Sequence, residues 1–225
     1  MNKAAICAFV KTPGVSPVKS RLAAACGVNK AESFYFASVN DTENLLRSLK
    51  DIAPEIIPWW AVAEEEAHNN SLWASFQKIE QGPGGLGQRL NYVYKNLIAE
   101  SSPVIFIGAD APHMQVEVIL QLTETLREEP RRAVLGKAED GGFYIFGANV
   151  PIPAEVWLRV EYSRGDTANT LAENLMQNCS VSFVQSNFDI DDEASLEKLR
   201  MLWREGRLPA HCRALDNWFR LEGSE

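Results

Sequence analysis

AAICAFVKTPGVSPVKSRLAAACG, residues 4–27, passes from an apolar run through a loop holding two prolines and two lysines into an alanine-rich segment. The apolar run has the length of a buried strand and is followed by a loop, with no small-residue cleavage site, so it reads as a strand and not as a signal peptide. Proline and glycine restrict the loop. The segment from about Val18 predicts a short helix that stops at Gly27. Strand, cationic loop and helix in that order raise the question of why so much positive charge stands where the strand hands over.

Further apolar, β-prone segments follow: EIIPWWAVA (55–63), PVIFIG (103–108), RAVLG (132–136), FYIFGA (143–148) and VSFVQ (181–185). Stretches of helical periodicity separate them, and such alternation predicts an α/β sandwich around a mainly parallel sheet. Residues 29–50 carry Phe34, Ala37, Val39, Leu45, Leu46 and Leu49 at helical spacing, with Asn29 and Glu32 as a capping pair. Residues 86–100, 114–129 and 193–206 read as further helices, the last with Leu196, Leu199 and Leu202 on one face. GPGG from Gly82 reads as the most flexible loop.

The chain has 225 residues, 46% hydrophobic and 23% charged, which fits one globular domain with a full core. No apolar run approaches bilayer length, so the expected location is the cytoplasm and no membrane insertion is expected. A net charge of −8 argues against nucleic-acid binding, which needs a basic surface. Cys7, Cys26, Cys179 and Cys212 are dispersed without a C-x-x-C pair, and His68, His113 and His211 are equally scattered. That pattern predicts packed thiols and no histidine- or cysteine-built metal site.

In an open α/β sheet the ligand site lies at the carboxyl ends of the strands. The residues there are Lys11, Lys19 and Arg21 after the first strand, Asp110 in GADAP, Glu139 and Asp140 in AEDGG, and Asp189, Asp191 and Asp192 in NFDIDD. A cationic loop suits the phosphates of a nucleotide, and carboxylates beside phosphates require a divalent cation between them, Mg2+ or Mn2+. Each cluster also has a plainer reading: solvated surface lysines, an Asp110 that caps the next helix, a glycine turn between two strands, and an acidic N-cap in DIDD. The coincidence of all of them at strand ends favours the metal–nucleotide site over these. Trp59, Trp60 and Trp73 read first as core.

FVKTPGVSPVKSRLAAACG (9–27), GGLGQRL (84–90), VIFIGADAP (104–112), AEDGGFYIFGA (138–148) and FDIDDEASL (188–196) resemble, in that order, the signature segments of a bacterial glycosyltransferase-like family. It is a branch of the nucleotide-diphospho-sugar transferase superfamily, with the glycosyltransferase-A fold and with molybdopterin and 2-phospholactate guanylyltransferases among its relatives. The resemblance runs from about Lys3 to Leu199. The expected organisation is a nucleotide-diphospho-sugar transferase-like domain over 1–208 and a C-terminal helical extension over 209–225. The resemblance implies that Lys11, Lys19 and Arg21 cradle nucleotide phosphates, with Gly87 and Arg89 near the nucleotide or acceptor. Asp110 would be the main metal ligand, completed by Asp189 and Asp191, and Asp140 with Gly141 and Gly142 would line the acceptor or sugar pocket. The family loop usually has glycine at Ser16, a basic or polar residue at Pro17 and threonine at Ser20. EYSRGDTANTL (161–171) replaces a tryptophan-bearing segment.

Three functions fit these residues. The first is a metal-dependent glycosyl transfer from a nucleotide-sugar to a small-molecule acceptor, with Asp140 or Glu139 as general base and Asp110, Asp140 and Lys19 as the catalytic set. The second is a nucleotidyl transfer from a nucleoside triphosphate to a phosphorylated acceptor. The third is a nucleotide-binding protein without turnover. The segment 208–225, with Leu215, Trp218, Phe219 and Leu221, reads as a helix packing on its own chain, with a homodimer as the alternative.

Overall fold

The computed structural model describes residues 3–223. Seven strands form one sheet: β1 (Ala4–Val10), β2 (Ile56–Val62), β3 (Gln77–Glu80), β4 (Val104–Gly108), β5 (Arg132–Ala138), β6 (Phe143–Ala148) and β7 (Ser180–Asn187), in the order β3-β2-β1-β4-β6-β5-β7. β6 runs antiparallel to β4 and β5, and the remaining neighbours pair in parallel. The helices are α1 (Ser20–Cys26), α2 (Val28–Ile52), α3 (Leu86–Ile98), α4 (Val116–Glu128), α5 (Ala154–Leu158), α6 (Thr167–Met176), α7 (Glu193–Arg204) and α8 (Arg213–Glu222). The architecture is the mainly parallel α/β/α sandwich predicted above.

Strand alternation builds two cores from one sheet. Ile6, Ala8 and Val10 of β1, with Ile105 and Ile107 of β4, point to the face covered by α2 and α4. Ala5 and Cys7 of β1, with Val104 and Phe106 of β4, point to the face covered by α3, α5 and α6. Both faces are buried, which is why these strands read as continuous apolar runs. Trp60 and Trp73 are fully buried, as expected for core tryptophans.

A third core joins α1, α2, α7 and α8 through Leu22, Phe34, Leu196, Leu199, Leu215 and Phe219. Asp41, buried in the middle of α2, fixes α8 there: its two carboxylate oxygens accept the backbone N–H groups of Ala214 (2.9 Å) and Leu215 (2.8 Å). These are amides of the first turn of α8 that the helix itself leaves unpaired. Just before α8, His211 Nε2 donates to the Pro112 carbonyl at 2.9 Å, and Cys212 Sγ lies 3.4 Å from the same oxygen. The C-terminal segment thus packs on its own chain and braces the loop that follows β4.

One local expectation changes, and one strand falls outside the segments read as strands. α2 begins directly after Gly27, whose φ of 90° turns the chain between α1 and α2, and no side chain caps it, so Asn29 and Glu32 are not its capping pair. β3 has four residues, two of them charged, at the sheet edge, and shows no apolar run.

Candidate active site

The strand register brings the expected clusters together. Phe9 of β1 lies opposite Gly108 of β4, so Lys11 and Asp110 leave the sheet side by side. Ala138 of β5 lies opposite Asn187 of β7, so Glu139 and Asp140 neighbour Asp189. β6 is antiparallel and starts at the same edge, which makes residues 139–142 a strand-to-strand turn at the site. A backbone bond from Ile190 N–H to the Asp110 carbonyl (2.9 Å) ties the loops after β7 and β4.

Lys19 stands at the centre. Its side chain is 2% exposed, its Nζ pairs with Asp110, and it also donates to Asp191 Oδ1 at 3.1 Å. Arg21 reaches Asp191 from the solvent side, with Nη2 at 2.5 Å from Oδ2. Burial pulls the Lys19 ammonium down, but Asp110 and Asp191 outweigh it and the net shift is upward. The lysine expected to face phosphates faces carboxylates here. Lys11 is exposed, with its side chain free of any such pair among the described residues.

Asp189 is half-buried beside this group. Burial first, then the charges of Asp110, Asp191 and Asp140, push its carboxyl up to about 7, against the lowering effect of Lys19. Asp140 is exposed and oriented by the Gly142 N–H, which donates to Oδ1 at 2.9 Å. Glu139 is engaged by Lys198 of α7. Asp192 does what its plainer reading predicts: it caps α7 through Ser195 N–H at 2.9 Å.

Among the described residues no group of three or more His, Cys, Asp or Glu side chains forms a ready metal site. Asp110 and Asp191, expected to be metal ligands, both pair with the Lys19 ammonium. The fit to a divalent cation is one of donor chemistry alone. The carboxylates of Asp110, Asp140, Asp189 and Asp191 outnumber the cations Lys19 and Arg21, and an all-oxygen donor set with surplus negative charge suits Mg2+ or Mn2+.

Glycines in the expected pocket have packing reasons. A Cβ on Gly87 would lie 2.7 Å from the Trp157 carbonyl oxygen and 2.8 Å from the Tyr162 ring, so this residue lets α3 approach α5 and the segment that follows it. Gly141 has a φ of 90° and a Cβ there would meet the Gly165 carbonyl at 2.0 Å, while its own carbonyl accepts Ala168 N–H at 2.9 Å. Gly141→Ala is therefore expected to cost about 2–4 kcal/mol from overpacking and backbone strain together, read as a lowered denaturation midpoint. An unchanged midpoint would show that the 161–166 loop yields freely. Arg89 is held by the Gly84 carbonyl at 2.9 Å and by Gln81 Oε1 at 3.3 Å.

The strand-end reading passed over the residues that clamp the cationic loop. Tyr35 of α2 accepts the Lys11 N–H at 2.9 Å and donates to the Lys11 carbonyl at 3.0 Å. Glu64, buried after β2, accepts the Thr12 N–H at 2.9 Å, and Trp73 Nε1 donates to Thr12 Oγ1 at 3.0 Å. Gln81 Nε2 bridges the carbonyls of Val10 (3.1 Å) and Ala61 (2.8 Å). Glu64 was reachable by the same rule, since EEE follows the second strand directly. Tyr35 sits inside an apolar helical stripe and gave no separate signal.

His113 is a strut between the β4 and β7 loops: its Nε2 lies 2.8 Å from Asn187 Oδ1 and its ring packs on Phe188 at 4.4 Å. Burial, with a smaller contribution from His211, holds it down to about 4, against the Asn187 hydrogen bond. As pH falls below about 6.5 the unfolded chain gains this proton and the folded protein does not, so stability is lost down to about pH 4. The loss amounts to about 3 kcal/mol. Asp189 titrates in the opposite sense over much of that window, so the measurement is the difference between wild type and His113→Gln, in which Asp189 cancels. Parallel pH–stability profiles would contradict the assignment.

The sandwich with this strand order and a site at its carboxyl edge defines the nucleotide-diphospho-sugar transferase fold. It is shared with a candidate nucleotide-diphospho-sugar transferase from Desulfovibrio desulfuricans, at a TM-score of 0.83 and 20% identity over 100% of this chain and 96% of that one. A 4-diphosphocytidyl-2C-methyl-D-erythritol synthase from Anaerococcus prevotii aligns at 0.58 and 12% identity, over 90% and 99% of the two chains. A CMP:2-keto-3-deoxy-manno-octonic acid synthetase complexed with CTP aligns at 0.51 and 15%, over 91% and 99%. Residues 50–164 match the family described as uncharacterized protein conserved in bacteria (DUF2064), and the chain belongs to that family. No curated protein matches it.

Proposed function

We propose that the protein is a metal-dependent transferase acting on a nucleotide-activated donor, and that it moves a glycosyl group from a nucleotide-sugar to a small-molecule acceptor. The observation that carries this reading is the gathering of Asp110, Asp189 and Asp191 around a buried lysine at the carboxyl edge of the sheet. Mg2+ or Mn2+ held by these carboxylates would neutralise the departing diphosphate. Lys11, Lys19 and Arg21 add positive charge where negative charge develops, the largest contribution such a site makes. Arg89 belongs to the nucleotide side by its link through Gln81 to the end of β1.

Asp140 is the better general base of the two acids considered, because Lys198 occupies Glu139 while the Gly142 N–H orients Asp140. The acceptor hydroxyl oxygen bonds to the anomeric carbon and gives its proton to Asp140. The bond from that carbon to the diphosphate breaks, and the nucleoside diphosphate leaves with the electron pair. Gly141 and Gly142 form the floor beside it, and Gly87 enters by letting α3 pack closely.

Nucleotidyl transfer is the second reading, favoured by the fold shared with the 4-diphosphocytidyl-2C-methyl-D-erythritol synthase and with the CMP:2-keto-3-deoxy-manno-octonic acid synthetase complexed with CTP. One experiment separates the two: incubation with nucleotide-sugars or triphosphates plus alcohol and phosphorylated acceptors, with Mg2+ or Mn2+. Nucleoside diphosphate release from one nucleotide-sugar is the expected result. Pyrophosphate release from a triphosphate would establish the second reading. Binding of a nucleotide with neither product would mark a nucleotide-binding protein without turnover.

A further inference from the structure

We infer that Lys19 is a built-in counter-ion that occupies the carboxylates of the metal–nucleotide site until a divalent cation displaces it. The inference rests on the reading of those carboxylates as cation ligands and adds how the site is controlled. Lys19 Nζ bridges Asp110 and Asp191 with its side chain 2% exposed, while the neighbouring cation Arg21, in the first turn of α1, is 65% exposed and pairs with Asp191. An ammonium so placed neutralises two carboxylates that would otherwise repel each other, and it occupies oxygens that a metal would need, although Asp110 and Asp191 themselves stay 49% and 34% exposed.

The backbone records the same arrangement. Lys19 has a φ of 49° and a ψ of 44°, a left-handed conformation that side-chain-bearing residues avoid, and it precedes α1 with no side-chain cap. A strained residue persists when its surroundings over-determine it, and here the two ion pairs supply that constraint. The other end of the loop is pinned independently, by Tyr35 at Lys11 and by Glu64 at Thr12. Releasing Lys19 therefore frees the distal part of the loop while its root stays in place. The freed ammonium then becomes available to phosphates, so cation binding and phosphate binding are coupled through one side chain.

Because the ammonium must leave before the cation binds, the apparent metal affinity is reduced by the fraction of molecules in which the site is open. Mn2+ binding followed by electron paramagnetic resonance, without nucleotide, tests this directly. Lys19→Gln is expected to bind Mn2+ about tenfold more tightly than wild type or better, Lys19→Arg to remain near wild type, and Arg21→Gln to change by less than about threefold. Equal or weaker binding by Lys19→Gln, or an equal gain in Arg21→Gln, overturns the inference.

A second measurement uses the wild-type protein and does not depend on the variants folding. Amine labelling read by mass spectrometry is expected to modify exposed Lys11 readily and to spare Lys19 in chelator, with Lys19 labelling rising in saturating Mg2+. Lys19 labelling that is unchanged by Mg2+ overturns the inference. The wild-type titration separates the two failures: saturable Mn2+ binding with Lys19 labelling unchanged overturns this inference alone, whereas no saturable Mn2+ binding by wild type or Lys19→Gln overturns the reading of these carboxylates as cation ligands.

Discussion

Asp110→Asn is expected to lower divalent-dependent nucleotide affinity and turnover by about 10²–10³-fold, on the scale measured when one charge-stabilising group is removed from a reacting centre. The carboxylate follows β4 directly and is half-exposed, so the change removes a charge at the sheet edge and leaves the core intact. Asparagine keeps an oxygen that can accept from Lys19 but cannot hold the buried ammonium or a divalent cation by charge. Calorimetric titration with nucleotide in Mn2+ and in chelator reads the effect. Affinity that remains metal-dependent in the variant would remove Asp110 from the site.

The second large effect is on stability. Asp41→Ala takes away both oxygens that accept the first amides of α8, leaving Ala214 and Leu215 N–H groups unpaired in the third core. Hydrogen bonds to a charged acceptor contribute about 1.5–3 kcal/mol each, and buried donors without partners are costly. A loss of about 3 kcal/mol or more is expected, which is a fall in Tm of about 10 °C for a chain of this size. The loss should reach the site as well, because His211 and Cys212 brace Pro112, two residues after Asp110. Thermal unfolding of the variant within about 2 °C of wild type would show that α8 is held by its apolar face alone.

Most of the fold was legible because the sheet is buried on both faces. Strands such as VIFIG and FYIFGA must then be apolar throughout, and they announce themselves as uninterrupted runs. β3 escaped because an edge strand of four residues can carry Lys78 and Glu80 without burying either. α5 and α6 escaped because they are short and because a charge-rich loop divides them. The capping pair assigned to α2 failed for a tertiary reason: α1 and α2 are nearly continuous, so Gly27 does the work of both ends.

The site was legible in position and not in pairing. The rule that ligands gather at strand ends located Asp110, Asp140, Asp189 and Asp191, because that rule depends only on the order of strands. That Lys19 would turn inward to Asp110 and Asp191 depends on contacts between residues far apart in sequence, which no local pattern encodes. Gly87 carried an ambiguous signal, since a glycine needed for close helix packing looks the same in a sequence as one needed beside a ligand.

The proposed function requires the carboxyl edge of this sheet to bind a nucleotide through a divalent cation. The most direct measurement is the Tm of the purified protein against UDP-, GDP-, ADP-, CDP- and TDP-sugars and the matching triphosphates, each with Mn2+, with Mg2+ and with chelator. A ligand that binds the folded state alone at 100 times its Kd stabilises by about 2.7 kcal/mol, so an upward shift of several degrees is expected for one nucleotide class, present with the cation and absent in chelator. A folded protein whose Tm moves with none of these ligands, or moves equally in chelator, would contradict it.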